Sequence, residues 1–448
     1  MIPPATLAAF RFGYGPAPDG AGPGDAAGLL ASLAEIGPAA RDDWDDRHAL
    51  LRERRAARKD RRAQVAGAEA RNRKINTAYR ELRLRDHKIR LSAAVGAPVG
   101  FDQRLRAFWD DHFTIQAQDA TLKLLLPHFH TQAIAPHITG RFRDMLRAAS
   151  THPAMLLYLD QTRSFGPNSR AGRQRGLGLN ENLAREILEL HTLGVDASYA
   201  QADVREFAEL LTGLHWDAEG FRFRPLRAEP GAETVLGQRY GGDDAELAPV
   251  LAALDDLAAH PDTARHLARK LVVHFIGAPA PADLVGAMAE AYLGADTSLM
   301  ALYEAMLQDK RAWTPAFAKV RQPFELIAAA CRSAGFDAAQ IMAQRPGVIA
   351  RDLLNQQARM GQLPWRPDGP DGWAEDPETW ITPVGLAARL RWAQDFSARH
   401  LGDHDPRAFL NAALGPRASA VLRSAVAGAE SRRDGLTLVL ASPEFNRR

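Results

Sequence analysis

The stretch Asp262-Thr-Ala-Arg-His-Leu-Ala-Arg-Lys-Leu-Val-Val-His-Phe-Ile-Gly277 decides the fold class. Its Leu and Ala residues recur at spacings of three and four, which is the period of an α-helix, and a glycine closes it. The same spacing recurs in four later segments: Ala282–Leu293, Ser298–Leu307, Pro323–Ala334 and Pro383–Arg399. The sequence therefore predicts a mainly α protein.

Composition excludes several classes of protein. The chain has 448 residues, of which 46% are apolar and 25% are charged, close to the averages for globular proteins and unlike disordered, collagen-like or coiled-coil chains. Its net charge of +2 is too weak to indicate nucleic acid or an acidic membrane as partner. The single cysteine, Cys331, excludes an intramolecular disulfide framework and a multi-cysteine metal site.

The chain as given is expected to be cytoplasmic and without a membrane span. Its amino terminus has neither a basic n-region nor a continuous apolar h-region, which a secretory signal needs. It also has no run of about 18 apolar residues that could cross a bilayer.

Three segments depart from the helical pattern or from average composition. A small β-hairpin is predicted near residues 219–240, where Phe221–Pro225 and Glu233–Tyr240 alternate with period two. Residues 361–383 hold five Pro, three Gly and three Trp, so we expect an ordered loop packed on the core. Residues 47–90 hold sixteen Lys or Arg against five acidic residues, which indicates a basic helical hairpin. Such a surface can meet phosphates or simply be solvated.

The segment Gly166–Gly194 is the most unusual part of the chain. It begins with a loop rich in Gly and Arg and continues as a helix that Asn180 is suited to cap and Gly194 to terminate. Free N–H groups at a helix amino terminus attract anions, and Arg170, Arg173 and Arg175 would add donors. The segment is therefore either an anion site, with Asn168 as a further donor, or a surface loop.

The helix of this segment is amphipathic, and its polar face carries Glu181, Asn182, Arg185, Glu186 and Glu189. Four-residue spacing makes a surface ion-pair ladder one interpretation. In the other interpretation the face lines a cleft, where Glu181 or Glu186 is a general acid or base and Arg185 holds a carboxylate ionised.

Seven of the fourteen histidines lie between His112 and His215. His112 follows Asp110 and Asp111, and such side chains could meet a second histidine such as His137 at a divalent transition metal. A Glu-x-x-His pair is missing from the sequence, so no cofactor is favoured, and Asp110, His112 and His137 remain the metal candidates. His191 falls on the apolar arc of its helix and is expected in the core.

Several motifs together resemble the bacterial domain-of-unknown-function family 1800, and they lie along nearly the whole chain: Arg11–Pro16, Phe108–Phe113, His152–Asp160, Asn180–Gly194, Leu211–Gly213, Pro370–Trp373 and Asp434–Phe445. The resemblance implies one continuous helical unit over residues 1–448. It supplies no catalytic residues.

The chain departs from the family pattern at three sites. Asp110 replaces a usual histidine, a Phe often stands in place of His191, and Ala228 and Glu233 replace the His and Lys of a common motif. Relatives often lie beside genes of family 1501, which is similar to sulfatases. The resemblance thus implies an anionic, sulfated or phosphorylated substrate, and export in complex with a signal-bearing partner.

These observations lead to one main hypothesis and two alternatives. The main hypothesis is an enzyme with hydrolytic acid/base chemistry on an anionic or polyhydroxylated small molecule or glycan. Its site lies between residues 166–194 and the helix of Trp109 and His112, with Trp109 as an apolar wall and Asn168, Arg170 and Asn182 as binding residues. The alternatives are a non-catalytic partner or carrier of an exported sulfatase-like protein of family 1501, and a metal-dependent oxidoreductase.

Overall fold

Helices form most of the structure, a computed structural model that describes residues 2–16, 22–34, 43–217 and 220–448. The described residues of the first half contain eleven α-helices: α1 (Pro4–Arg11), α2 (Ala26–Ala34), α3 (Trp44–Arg62), α4 (Ala68–Gly96), α5 (Phe101–His112), α6 (Leu122–Phe129), α7 (Phe142–Thr151), α8 (Pro153–Tyr158), α9 (Arg170–Arg175), α10 (Asn182–Glu186) and α11 (Gln201–Leu210). A π-helical turn continues α6 over His130–Ile134, and another continues α10 over Ile187–His191.

The second half is also helical and includes, as its second helix, the stretch that decides the fold class. Its helices are α12 (Ala248–Ala258), α13 (Pro261–Phe275), α14 (Ala282–Gly294), α15 (Leu299–Gln308), α16 (Pro323–Ser333), α17 (Ala338–Ala343), α18 (Pro346–Ile349), α19 (Asn355–Arg359), α20 (Pro377–Trp380), α21 (Pro383–His400), α22 (Pro406–Leu414), α23 (Ala420–Ala427), α24 (Arg432–Ala441) and α25 (Pro443–Asn446). A π-helical turn over Ala350–Leu354 joins α18 to α19.

Local capping explains where α13 begins and ends. Nδ1 of His260 accepts from the backbone N–H of Asp262 at 3.1 Å, and Pro261 occupies the first helical position, where a missing N–H costs nothing. Gly277 follows the helix with φ of +136°, a conformation that favours glycine. The predicted mainly α fold is confirmed, and the chain forms a single mainly α domain.

Two small antiparallel hairpins interrupt the helices. Strand β1 (Leu214–Asp217) pairs with β2 (Gly220–Phe223), and β3 (Gly231–Val235) pairs with β4 (Gln238–Gly242). The turn of the second hairpin has positive φ at Leu236 (50°) and Gly237 (78°), as a two-residue type I′ turn requires. The β excursion predicted near 219–240 is confirmed, but it consists of two hairpins where one was expected: the first run pairs with β1, and the run Glu233–Tyr240 folds back on itself as β3 and β4. Residues 218 and 219 lie outside the described residues.

The basic segment is a helical hairpin made by α3 and α4, as the sequence indicates. The guanidinium of Arg54 stacks 4.4 Å from the ring of Tyr79, and Arg71 pairs with Asp60 at 3.1 Å near the turn. The carboxyl-terminal part of α4 leaves the hairpin and packs against α16 and α17. The hairpin is thus anchored to the domain at one end.

Two clusters of buried apolar side chains fill the domain and meet at α1. The first cluster includes Ala8 of α1 and Phe12, which directly follows that helix. It also contains most apolar residues of α5 to α15. The second receives Leu7 and Phe10 and contains those of α16 to α25. Because one short helix supplies both clusters from opposite faces, they are held as one unit.

Residues 361–383 form an ordered loop against these clusters. Trp365 is 8% exposed and stacks on His87 at 3.8 Å between ring centroids, while Trp380 is 3% exposed and donates its Nε1–H to the carbonyl of Ala374 at 2.8 Å. The only departure from the expected loop is the single turn of α20. In the part of the chain that the structure describes, no helix combines the length and apolarity that a bilayer crossing requires.

Candidate functional site

The polar face of α10 is an ion-pair ladder. Arg185 contacts Glu181 at 3.3 Å and Glu189 at 3.0 Å, and these side chains are 41%, 34% and 24% exposed, respectively. Asn182 is exposed, and its backbone N–H donates to Oδ1 of Asn180 at 3.0 Å. The geometry of Glu181, Asn182 and Arg185 matches the surface interpretation of the sequence.

Glu186 has a different environment from the ladder. It is half-buried, and burial raises its pKa to about 7, with the nearby charges of Glu189 and Asp371 acting in the same direction. Burial raises the pKa of Tyr158 to about 12, and the charge of Glu186 acts in the same direction. With a pKa close to neutral, Glu186 can both give and take a proton near pH 7, as a general acid or base must.

The loop rich in Gly and Arg is occupied by a carboxylate of the protein itself. The backbone N–H of Asn168 donates to Glu229 at 2.8 Å, and its side-chain amide donates to the same carboxylate at 2.6 Å. Arg173 reaches Oδ1 of Asn168 at 3.3 Å, and Arg170 is exposed on α9. The side chain of Arg175 lies outside the described residues.

The residues predicted on α5 point in different directions. Trp109 is completely buried and donates its Nε1–H to the hydroxyl of Tyr303 at 2.6 Å, so it lies in the core and not in a cleft wall. Asp110 lies 3.5 Å from Nδ1 of His130, whereas His112 faces His191. Side chains two positions apart on a helix point about 200° apart. His137 is half-buried on a separate 3₁₀ turn, so the three metal candidates do not form one group.

A cavity of about 430 Å³ lies on the His112 side of α5. Four separate segments of the chain supply its polar wall: Asp111 and His112 from α5, Asp196 after the π-helical turn, His266 and Lys270 from α13, and Asp371 and Glu375 from the Trp-containing loop. Gly194 also lines it, so the end of the 166–194 segment does meet α5. We call this space the His112 cavity.

Backbone carbonyls fix the protonation sites of two histidines in this cavity. The last carbonyl groups of a helix have no hydrogen-bond donor within the helix itself. The carbonyl of Leu190 lies 3.1 Å from Nε2 of His266, and the carbonyl of His191 lies 3.1 Å from Nε2 of His112. Because a carbonyl only accepts, both Nε2 atoms carry the proton and both Nδ1 atoms are acceptors.

His112 is therefore a neutral base with a free acceptor. It is 2% exposed, and its Nδ1 has no hydrogen-bond partner among the described residues. Burial lowers its pKa well below the usual range, and the charge of Lys270 acts in the same direction. For the same two reasons the pKa of His266 falls to about 4.

Lys270 is the central cation of the cavity. It is half-buried and makes no ion pair with any residue that the structure describes. Burial lowers its pKa, although the carboxylates of Asp111, Glu375 and Asp371 oppose that effect. Its ammonium group is thus available to a ligand.

Asp111 connects the cavity to the Trp-containing loop. Both of its oxygens accept from the backbone N–H of Trp373, at 3.0 and 3.1 Å. Gly372 has φ of +92°, and a Cβ at that position would lie 2.7 Å from Oδ2 of Asp111, so only glycine allows this approach. Burial raises the pKa of Asp111 to about 7 despite this hydrogen bond and the charge of Lys270.

Glu375 holds the other end of the loop segment. It accepts from Nδ1 of His274 at 2.5 Å and pairs with Lys319 at 2.5 Å. His274 in turn lies 2.9 Å from Arg104, which pairs with Glu325 inside the domain. These contacts hold the pKa of Glu375 well below its usual range, against the effect of burial.

Sequence reasoning missed Asp111, His266, Lys270, Asp371 and Glu375. One local signal was present, because three of the polar residues of α13 that line the cavity are spaced by four: Asp262, His266 and Lys270. In a helix this spacing makes a polar stripe. The loop residues carry no such local signal.

A separate acidic cluster could hold a metal ion. Oxygens of Glu206, Glu209 and Glu233 lie within 4.8 Å of one another. Glu233 is buried, and burial raises its pKa to about 8, with a hydrogen bond from Glu206 acting in the same direction. Such acidic groups are also common without an ion.

Comparison with known proteins identifies the family. The family model described as "Protein of unknown function (DUF1800)" matches residues 8–447 of the 448. No curated protein and no solved structure matches the chain. The match includes every segment that lines the His112 cavity, from α5 through α13 to the Trp-containing loop. The chain belongs to the DUF1800 family.

Proposed function

We propose that this protein is an enzyme, that the His112 cavity is its active site, and that it hydrolyses a small polar or anionic ester by general acid/base catalysis. The observation that carries the proposal is His112, a residue that lines a cavity of about 430 Å³ and whose buried Nδ1 has no hydrogen-bond partner among the described residues. A buried acceptor without a partner costs free energy, so its retention is best explained by a ligand.

The roles follow from the chemistry of each group. His112, neutral at pH 7, takes a proton from a water molecule through Nδ1. The oxygen of that water attacks the electrophilic centre, and Lys270 stabilises the negative charge that develops on the substrate. Asp111, with a pKa of about 7, gives its proton to the oxygen of the leaving group. Proton exchange with solvent then restores both groups.

The substrate class follows from the charges that remain available. Asp262 pairs with Arg265 at 2.7 Å, and Glu375 pairs with Lys319 and His274. Asp196 and Asp371 also line the cavity and make no ion pair with the described residues, so the wall carries charges of both signs. Lys270, which has no ion-pair partner among the described residues either, favours an anionic group or a polarised carbonyl. The charge of Asp371 acts on Glu186, and we keep Glu186 as a second acid/base candidate.

A substrate panel tests this proposal. Chromogenic aryl esters of carboxylic, phosphoric and sulfuric acid, with glycosides as a further class, are incubated with wild type and variants. We expect His112→Asn to lower turnover of an accepted ester by about 10²-fold or more, and Lys270→Met to do the same. Glu181→Gln, on the exposed ladder, is the control and should have no effect. Full turnover by folded His112→Asn and Lys270→Met proteins would place the active site elsewhere.

A further inference from the structure

A second cavity, of about 360 Å³, lies on the Asp110 side of α5. Its walls come from α4, α5, the turn after α6, and the aromatic residues Phe324 and Trp365. Much of the lining is apolar, including Leu82, Ile89, Ala93, Ala107 and Pro127. Its volume and mixed lining are those of a site for a small organic molecule.

Two arginines face this cavity without a carboxylate partner. Among the described residues neither Arg90 nor Arg106 takes part in an ion pair, and Nε of Arg106 is buried with no hydrogen-bond partner. Arg90 is positioned by Phe324, whose ring centroid lies 4.2 Å from its guanidinium carbon. Both side chains are half-buried, and a guanidinium that is partly removed from water without an acceptor is costly, so the site favours an added anion.

The acidic residues of the wall do not supply that anion. Asp43 and Asp86 both pair with Arg47, at 2.7 Å each. Asp110 is half-buried, and burial raises its pKa to about 7, although the charges of Arg90 and Arg106 act against this. Its neighbour His130 is neutral because burial lowers its pKa to about 3. Asp46 and Arg85 also line the cavity and make no ion pair with the described residues, but both are exposed at its rim; the half-buried positive charge is therefore carried by Arg90 and Arg106.

We propose that this second cavity binds a small organic acid, with its carboxylate on Arg90 and Arg106 and an aromatic or branched apolar body against Phe324, Trp365 and Ile89. Guanidinium groups match a carboxylate through paired N–H donors. The inference goes beyond the proposed hydrolysis, because this cavity lies on the opposite side of α5 from His112. Its test needs no turnover, so the two proposals can fail separately.

The test uses 2-naphthoate as the probe and its neutral analogue 2-naphthamide as the comparison. On wild-type protein, 2-naphthoate should raise the melting temperature saturably, because a ligand of the native state stabilises it by mass action. Arg90→Gln and Arg106→Gln should each weaken the affinity by about 10- to 100-fold. Arg80→Gln is the control, since Arg80 is exposed on the same helix and does not line the cavity. Ala107→Leu, which fills the cavity and changes no charge, should also remove the response.

Three results would overturn the inference. The first is the absence of a saturable response to 2-naphthoate and also to octanoate. The second is an unchanged affinity in folded Arg106→Gln and Ala107→Leu proteins. The third is an equal response to inorganic phosphate or to 2-naphthamide, because then either the apolar body or the charge would contribute nothing.

Discussion

At the scale of single residues, the most informative contrast is between two lysines. Lys319 is 4% exposed and forms an ion pair with Glu375, with 2.5 Å between Nζ and the carboxylate. Lys270 faces the same loop but makes no ion pair with the residues that the structure describes. A charge held in a wall without a partner does not stabilise the fold, and such groups are typical of functional sites.

This contrast predicts opposite effects on stability. Lys270→Met should leave the free energy of unfolding unchanged or raise it by about 0.5–2 kcal/mol, whereas Lys319→Met should lower it by about 3–5 kcal/mol because it leaves Glu375 with one partner fewer. The stability gained by Lys270→Met should shrink as pH rises. Burial lowers the pKa of Lys270, and this costs stability only at pH values where the amine of the unfolded chain is protonated. Urea unfolding of the three proteins measures this, and a loss at Lys270 equal to that at Lys319 would contradict the functional assignment.

Glu186 gives a second prediction at this scale. Its pKa is raised to about 7, above its usual value, so the carboxyl costs no stability at pH 4 and an increasing amount as pH rises toward 7. Glu186→Gln should therefore melt like wild type at pH 4 and at a higher temperature at pH 8. Thermal melts across this range decide the point. Glu181→Gln, on the partly exposed ladder and not among the charges that act on Glu186, is the matched control and should show no such difference between pH 4 and pH 8.

At the scale of elements, the site depends on how a helix end and a loop approach α5 and α13. The π-helical turn at Ile187–His191 directs its last carbonyls toward His112 and His266. The Trp-containing loop approaches from the other side through Gly372 and Trp373. The cavity therefore depends on two close backbone approaches.

Two glycines of this loop allow a matched test. Gly361 and Gly372 have φ of +94° and +92°, so an added Cβ costs similar backbone strain at both, of about 1–3 kcal/mol. Only at Gly372 would that Cβ meet Asp111, at 2.7 Å, while at Gly361 nothing lies within 4 Å. We expect Gly372→Ala to be clearly the less stable protein and to lose turnover, and Gly361→Ala to keep it. Equal melting temperatures and equal turnover would show that the loop does not position Asp111.

Local patterns in the sequence predict the helices but do not predict the candidate site. The spacing in Asp262–Gly277 predicts a helix that is observed at Pro261–Phe275, and four-residue spacing predicts the ladder of Glu181, Arg185 and Glu189. The burial of His191 also follows from its position on the apolar arc.

The His112 cavity could not be predicted in this way. It joins residues 111–112, 196, 266–270 and 371–375, and such long-range contacts leave no periodic signal in any one segment. Trp109 was expected in the wall of the cleft, but it lies in the core, where its Nε1–H donates to the hydroxyl of Tyr303, and no local pattern distinguishes a core tryptophan from one in a cavity wall. The β excursion was predicted correctly, but two hairpins are observed where one was expected, since alternation indicates a strand but does not identify its partner.

At the scale of the whole molecule, buried ionisable groups make stability depend on pH. Burial lowers the pKa of His191 to about 3 and of His274 to about 3, and that of His112 falls well below the usual range. Between these values and about 6.5 the unfolded chain binds protons that the folded chain does not. The protein should therefore lose stability as pH falls below about 6.5.

Replacement of one of these histidines should relieve part of the loss. His191 is 3% exposed and packs against the ring of Phe113, with ring centroids 4.9 Å apart. His191→Phe removes a titrating group from this core, so its stability should fall less than that of wild type between pH 7 and pH 5, by about 1–2 kcal/mol. Unfolding curves at the two pH values measure this, and identical pH dependence in both proteins would show that His191 takes up a proton in the folded state.

The central claim is that the cavity holds a neutral His112 with its proton on Nε2 and a free Nδ1. Selective ¹⁵N labelling of histidine, with His112→Asn to assign the signal, tests this directly by long-range ¹H–¹⁵N correlation spectroscopy. We predict an Nε2–H tautomer for His112 that stays neutral from pH 7.5 to pH 5. An Nδ1–H tautomer, or a charged ring at pH 6, would contradict the assignment of His112 as the base.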